Sequence, residues 1–137
     1  MTTAMNDAVR KLLDAPNPAV LATLNADGSP QTSVVWVTRE GEELLISTQA
    51  GRLKERNVRR DPRVSLTVYD LTDPLVYVEV RGTVTVTEDA GRAVAVRIAE
   101  EYEGPGAGDE YLALPPEEVR VVLRVTPHRL VGNAARG

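Results

Sequence analysis

Cysteine is absent from this sequence of 137 residues, and histidine occurs once, as His128. Without cysteine the chain has no disulfides, no thiolate metal sites and no cysteine nucleophile. A metal site would need carboxylates alone, and a serine–histidine triad would have one candidate base. We expect no bound metal, and the sequence identifies no catalytic side chain.

Long apolar runs are also missing. No stretch approaches the roughly 20 apolar residues that span a bilayer. Residues 1–7 lack the basic start and apolar run of a secretory signal. The sequence therefore predicts a cytoplasmic protein with no membrane partner.

Large aromatic side chains are scarce, with no phenylalanine and one tryptophan. Valine, leucine and alanine must therefore fill the core. The length suits one domain spanning residues 1–137, because domains typically run about 100–150 residues.

Positive charge is concentrated in one segment. The chain carries a net charge of −4, yet residues 52–63 contain six basic side chains and two carboxylates. A single basic island on an acidic protein indicates a specific anionic ligand. Nucleic acid normally requires a broader basic face, and single-strand binders add exposed aromatic rings, so we expect no nucleic-acid partner.

Short alternating segments separated by turn residues dominate the rest of the chain. They predict strands at 19–24, 31–38, 43–47, 64–69, 76–87 and 119–126, with a short extension at 129–131. Gly82, inside the fifth of these strands, predicts a bulge or bend. Helices are predicted at 7–14, in the basic segment and at 89–102. The pattern favours a mainly β fold, a six-stranded antiparallel barrel with appended helices.

The basic segment begins where a strand ends. Ser47 and Thr48 close the strand, the chain passes through Gly51, and a helix follows. A helix N-terminus with free N–H groups binds phosphate well, and Arg52 would add a forked, charged donor. The segment therefore predicts a phosphate site.

Helical spacing places one lysine of this segment towards the core. Leu53 and Val58 define the inward face, and Lys54 and Asn57 fall between them. The side chains predicted to point away are those of Arg52, Glu55, Arg56 and Arg59. An inward lysine needs an anion, because burying an unpaired ammonium is costly. A phosphate ligand is one candidate. The alternatives are an internal carboxylate such as Glu79 and a lysine side chain that extends outward to solvent.

The run from Gly51 to Val64, Gly-Arg-Leu-Lys-Glu-Arg-Asn-Val-Arg-Arg-Asp-Pro-Arg-Val, resembles the signature of the pyridoxamine 5′-phosphate oxidase-like superfamily. Three further segments, 19–37, 77–84 and 124–132, resemble that family's opening hairpin, later strand and closing strand. Within the family, the chain resembles the actinobacterial deazaflavin (coenzyme F-420)-dependent reductases. The resemblance implies a split β-barrel of the FMN-binding type that forms a homodimer.

The resemblance also implies which residues bind the cofactor. In similar members the phosphate is bound by residues that match Ser47, Thr48, Arg52 and Lys54, with Asn57 in support. The ring lies at the dimer interface, and the second subunit contributes through positions matching Tyr77 and residues 128–131. The strand that carries the ring matches Ser33, Val34, Val35, Trp36 and Val37.

The implied function is hydride transfer from a deazaflavin to a flat unsaturated small molecule. A cofactor of this kind carries the chemistry, so the chain has only to bind, orient and shield it. FMN is the alternative cofactor. A non-catalytic flavin- or haem-binding protein of the same fold is the alternative function. Trp36 could stack on the cofactor or pack in the core or an interface, and both interpretations stay open.

Overall fold

The computed structural model describes residues 3–136, and its secondary structure is mainly β. Short 3-10 turns occupy Ala90–Arg92 and Asn133–Arg136. The helices are α1 (Asp7–Asp14), α2 (Leu53–Arg60), α3 (Ala93–Glu103) and α4 (Asp109–Leu112). The strands are β1 (Ala19–Leu24), β2 (Pro30–Val35), β3 (Thr38–Glu40), β4 (Glu43–Gln49), β5 (Arg63–Tyr69), β6 (Tyr77–Glu88) and β7 (Arg120–Val131).

The strands form one antiparallel sheet in the order β2-β1-β5-β6-β7-β4-β3. Its two edges, β2 and β3, are consecutive in the chain and joined by residues 36 and 37 only. Three backbone steps reach about 10 Å, so the sheet has to curl until its edges approach. Within residues 3–136 no ladder joins β2 to β3, and the result is an open barrel.

Residues 3–136 form seven strands where the sequence predicted six. The strand predicted at 31–38 is two strands, because the backbone of Val37 leaves the ladder. Its N–H donates to the hydroxyl of Tyr102 at 3.1 Å, and that hydroxyl lies 3.3 Å from its carbonyl. This contact with α3 is long-range in sequence and is not visible in the local pattern.

The bulge predicted at Gly82 is confirmed. The β6–β7 register shifts between Arg81 and Gly82, opposite Pro127. A Cβ at Gly82 would collide with the carbonyl of Thr126, so only glycine allows the strands this close. Because the irregularity accommodates Pro127, β7 continues through it as one strand of 12 residues. The sequence had predicted two pieces there.

Leucine and valine fill the barrel, as the composition predicted. Leu21, Leu44, Leu66 and Leu123 are fully buried. Helix α1 adds three apolar residues at one end, Val9, Leu12 and Leu13. The helix predicted at 89–102 is a 3-10 turn followed by α3, and the short helix α4 after the glycine-rich loop was not predicted.

Candidate functional site

A pocket of about 290 Å³ lies where the barrel is open. β3 pairs only with Glu43–Leu45 of β4, so the later β4 residues border the opening. Five residues predicted for cofactor binding line this pocket: Val34, Val35, Trp36, Ser47 and Lys54. The rest of the wall comes from Ala95, Ile98, Tyr111 and Arg120.

The polar end of the pocket is cationic. Lys54 is half-buried, and its pKa is lowered by that burial and by the nearby charges of Arg52 and Arg120. Among the described residues neither Lys54 nor Arg120 forms an ion pair. Two neighbouring cations without an ion pair favour an anionic ligand.

Glu79 was one candidate for an internal carboxylate that pairs with Lys54, but its carboxylate has other partners. The carboxylate of Glu79 accepts hydrogen bonds from Ser65 on β5 and from Arg81 on its own strand. These interactions lower the pKa of Glu79, the bond from Arg81 having the larger effect. Glu79 is therefore not the partner of Lys54.

Arg120 was missed at the sequence level. Its Nη2 donates to Ser47 Oγ at 2.9 Å, and its guanidinium lies 5.0 Å from the ring centre of Tyr111. Burial lowers the pKa of Arg120 from its usual value. Its Nε is enclosed and has no acceptor among the described residues. A buried donor without a partner costs about 1–3 kcal/mol, so this guanidinium is incompletely satisfied.

No local pattern in the sequence marks Arg120 as a residue of the pocket. It precedes the apolar run Val121-Val122-Leu123 and looks like the polar start of a strand. Its proximity to the basic segment depends on the register of β4 against β7, in which Gln49 faces Arg120. These residues are too far apart in the chain for local patterns to pair them.

Helix α2 differs from the prediction on two of its faces. Leu53 was expected inside but is 44% exposed, and Glu55 was expected outside but is 5% exposed. The Glu55 carboxylate accepts the Gly51 N–H at 2.8 Å and pairs with Arg59 one turn later. These bonds hold the pKa of Glu55 below its usual value. A carboxylate already occupies the start of α2, so an anion in the pocket is met mainly by side chains.

Four residues of the predicted phosphate site lie at different places. Ser47 and Lys54 line the pocket, whereas Thr48 points to the opposite face of β4 and is 6% exposed. Arg52 is the exposed N-cap residue of α2 and forms no side-chain cap. Its charge is near enough to depress the pKa of Lys54.

Asn57 supports the site without lining it. Its side-chain amide donates to Thr23 Oγ1 and Asn25 Oδ1, both at 3.0 Å. Its own carbonyl oxygen accepts from Arg60 at 2.9 Å. Asn57 therefore fastens α2 to the β1–β2 hairpin, which fixes the position of Lys54 one turn earlier.

The predicted ring strand is only partly open to the pocket. Ser33 Oγ is enclosed and unpaired among the described residues, and Val37 is buried. Trp36 stacks on Tyr102 of α3 with ring centres 4.9 Å apart and planes 11° apart. One face of Trp36 is thus covered by the chain itself. Tyr77 lies on β6, 37% exposed, and does not line this pocket.

A segment that we call the clasp, residues 104–119, covers one side of the pocket. It contains α4 and Tyr111. The guanidinium of Arg92 donates to four clasp carbonyls, those of Tyr111, Leu114, Pro115 and Glu118, over 2.6–3.2 Å. Gly108 touches Val96 of α3 so closely that a Cβ would collide. The clasp is therefore held against the barrel at several points.

A larger depression of about 500 Å³ lies on the far side of Arg120. Its main polar groups are already used. Arg92 binds the clasp, and the Asp89 carboxylate accepts the N–H groups of Val94 and Ala95 at the start of α3. This depression is a seam between clasp and barrel.

Two further kinds of site are not found in the described part of the chain. Residues 3–136 contain no cluster of three or more potential metal ligands. None of the helices in that range is both long and apolar enough to cross a bilayer.

Comparison with solved structures places this architecture among known proteins. An F-420 reductase is 33% identical, with a TM-score of 0.77, over 89% of this chain and 94% of that one. The conserved hypothetical protein Rv2991 from Mycobacterium tuberculosis is 25% identical, with a TM-score of 0.75, over 94% and 84%. General Stress Protein 26 from Bacillus anthracis shares the fold at 18% identity, with a TM-score of 0.68 over 90% and 89%.

A family profile described as pyridoxamine 5′-phosphate oxidase matches residues 5–132. That range contains the whole sheet, the basic helix and the clasp. It includes every residue that lines the pocket. The chain belongs to the pyridoxamine 5′-phosphate oxidase family and has the fold of flavin- and deazaflavin-type oxidoreductases.

Proposed function

We propose that this protein is a deazaflavin (coenzyme F-420)-dependent oxidoreductase that transfers a hydride to a flat unsaturated small molecule. The observation that carries the proposal is a pocket lined by apolar side chains and by two cations, Lys54 and Arg120, that form no ion pair among the described residues. A ligand that fits it combines an anionic group with a flat, largely apolar body.

The residues present suit both parts of such a cofactor. Ser47 and Lys54 offer a hydroxyl and an ammonium to a phosphate. The ring would lie along Val34, Val35 and Trp36. β2 is an edge strand paired only with β1, so it offers free backbone donors and acceptors to the polar edge of a ring.

The chain's own contribution is binding and shielding. A bound deazaflavin or flavin supplies the hydride chemistry, which agrees with a pocket that contains no histidine. Ile98 and Ala95 of α3 exclude water from one side of the ring site. Tyr111 and the clasp do so beside the phosphate end.

The choice of the deazaflavin over FMN is supported by two observations. The F-420 reductase is one-third identical over nearly the whole chain. In addition, Arg56 and Arg60 line a depression of about 490 Å³ beside α2 that also contains Asp27, and an excess of cations there favours a cofactor with further negative charge. FMN carries only its phosphate and has no use for these cations.

We also propose a homodimer with the site at its interface. The outward side chains of β2, β1, β5 and β6 form an uncovered face, in which Val34, Val20, Thr67 and Glu79 follow one another across the sheet. Val34 is 75% exposed. A two-fold axis through the middle of this face lays β2 of one copy over β6 of the other. The partner's Tyr77 would then complete the ring site.

The test is a fluorescence titration of the protein with coenzyme F-420 and with FMN, followed by turnover. We expect tight deazaflavin binding that weakens about 10-fold or more in Lys54→Ala, since one charge-assisted contact is lost. Reduced coenzyme F-420 should then be consumed in the presence of quinones, nitroaromatics or unsaturated lactones. Preference for FMN would contradict the deazaflavin assignment.

A non-catalytic carrier of the same fold is the second candidate. It is favoured by the absence of any histidine or carboxylate from the lining of the pocket. Tight cofactor binding with no acceptor reduced across such a panel would establish it. Turnover of any one acceptor would eliminate it.

A further inference from the structure

The anion site proposed above has two candidate guanidinium groups. Arg52 lies at the start of α2, exposed, with no side-chain bond to the helix end. Arg120 comes from β7 on the other side of the pocket and lines it directly. Only the first is suggested by the basic segment of the sequence. The contacts of the two side chains separate them.

Arg120 is held in position before any ligand arrives. Its guanidinium lies over the ring of Tyr111 at 5.0 Å, a distance typical of a cation–π contact. One terminal nitrogen donates to Ser47 Oγ, itself a predicted phosphate ligand. Arg52 has no comparable restraint, and an exposed arginine loses more side-chain freedom when it binds a ligand.

Arg120 also has unmet bonding capacity. A guanidinium carries five N–H donors in a fixed fork. Nη2 has the Ser47 contact, while Nε has no acceptor among the described residues. No carboxylate lies within ion-pair distance of it in residues 3–136. Arg120 lines the pocket together with Ser47 and Lys54, so an anion bound there can accept from its terminal N–H groups.

We propose that Arg120 of β7, positioned by the ring of Tyr111, is the guanidinium that binds the phosphate group of the ligand, and that Arg52 is not. This inference rests on the proposed function, because the phosphate is that of the proposed cofactor. It adds a residue and an element, β7 and its clasp, to the anion site.

The test compares FMN with riboflavin, which is the same ring without the phosphate, and repeats the titration with coenzyme F-420. Arg120→Lys keeps the charge but loses the fork. We expect it to weaken FMN and coenzyme F-420 binding about 10-fold and to leave riboflavin binding unchanged. The matched variant Arg52→Lys should leave all three affinities within about 2-fold.

Tyr111 supplies a second pair of variants. Tyr111→Phe keeps the ring face and should bind FMN as the wild type does. Tyr111→Leu removes the face and should weaken FMN without weakening riboflavin. A general loss of structure would weaken both ligands equally, and thermal melting of each variant checks for it. Equal losses for both ligands would overturn the inference.

The outcomes distinguish the two proposals. A wild-type protein that binds neither FMN nor coenzyme F-420 overturns the proposed function. A wild-type protein that binds them, with the phosphate-dependent loss in Arg52→Lys and none in Arg120→Lys, overturns only the assignment of Arg120. The reverse pattern supports both.

Discussion

At the scale of single residues, we expect Lys54 to set the pH dependence of anion binding at the proposed site. Its pKa in the free protein is lowered by burial and by two neighbouring arginines. An anion binds the protonated form, so binding raises this pKa again. Affinity is therefore full below the free-state pKa of Lys54 and falls as pH rises through it.

The check is the dissociation constant of FMN measured from neutral pH to about pH 10, where the phosphate is fully ionised. The wild type should lose affinity across the upper part of this range. Lys54→Arg stays charged throughout and should show a flatter profile. Parallel profiles for the two proteins would mean that another group titrates.

Asn57 is expected to contribute to stability, because its buried side-chain amide makes three hydrogen bonds, to Thr23, Asn25 and Arg60. Asn57→Ala removes all three bonds and should lower the free energy of unfolding by about 2–3 kcal/mol. Urea denaturation measures it, with Arg56→Ala, an exposed change on the same helix, as control. If stability were unchanged but binding lost, Asn57 would be a direct ligand and not a fastening.

On helix α2, the burial of individual side chains was predicted correctly at some positions and wrongly at others. Helical spacing indicated that Lys54 turns inward and that Val58 is buried, and both hold. It failed for Glu55, because a helical wheel does not include the Gly51 N–H that this carboxylate caps. Polar contacts at a helix end override the average preference of glutamate for solvent.

At the scale of elements, Arg92 makes more hydrogen bonds to the clasp than any other described side chain. Arg92 has a left-handed backbone conformation, with φ of 57°, which costs a non-glycine residue about 1–2 kcal/mol. Its four hydrogen bonds to clasp carbonyls offset that cost. The clasp in turn carries Tyr111, and Tyr111 orients Arg120.

Arg92→Lys should therefore loosen the clasp while the barrel stays intact, since an ammonium cannot reach four carbonyls at once. Amide hydrogen exchange should speed up in residues 109–119 and remain slow in β5 and β6. Arg97→Lys, at an exposed ion pair on α3, is the control. Uniformly faster exchange would assign Arg92 to global stability instead.

Elements with local signals were predicted well, and elements made by long-range contacts were not. The hairpins and the Gly82 bulge follow from alternation and turn residues. The break after β2 needs the hydroxyl of Tyr102, 65 positions from its partner Val37. The position of the clasp needs Arg92 and Gly108 to meet particular partners, and no local pattern specifies such pairings.

At the scale of the whole molecule, the proposed dimer can be tested by a substitution on the uncovered face. Thr67 lies at the centre of the uncovered face, directly opposite Glu79. Thr67→Arg places a long cation on this partly exposed strand position, so the fold should survive while the interface does not. Light scattering should change from dimer to monomer, and cofactor affinity should fall because the partner's Tyr77 is removed.

Thr85→Arg is the matched control. It is the same exchange at an exposed outward position of β6, beyond the proposed face and opposite Arg124. It should leave the dimer intact. A wild-type protein that is monomeric at micromolar concentration, or a Thr85→Arg variant that dissociates, would contradict this interface.

The strand order has a consequence for biosynthesis. β4 joins the sheet only between β3 and β7, so the hairpin of β3 and β4 has no further partner until β7 has been made. Contacts this distant in sequence form late. The hydrogen bond between Ser47 and Arg120 can form only after β7 has been made. A nascent chain therefore completes the proposed anion site only when β7 has left the ribosome.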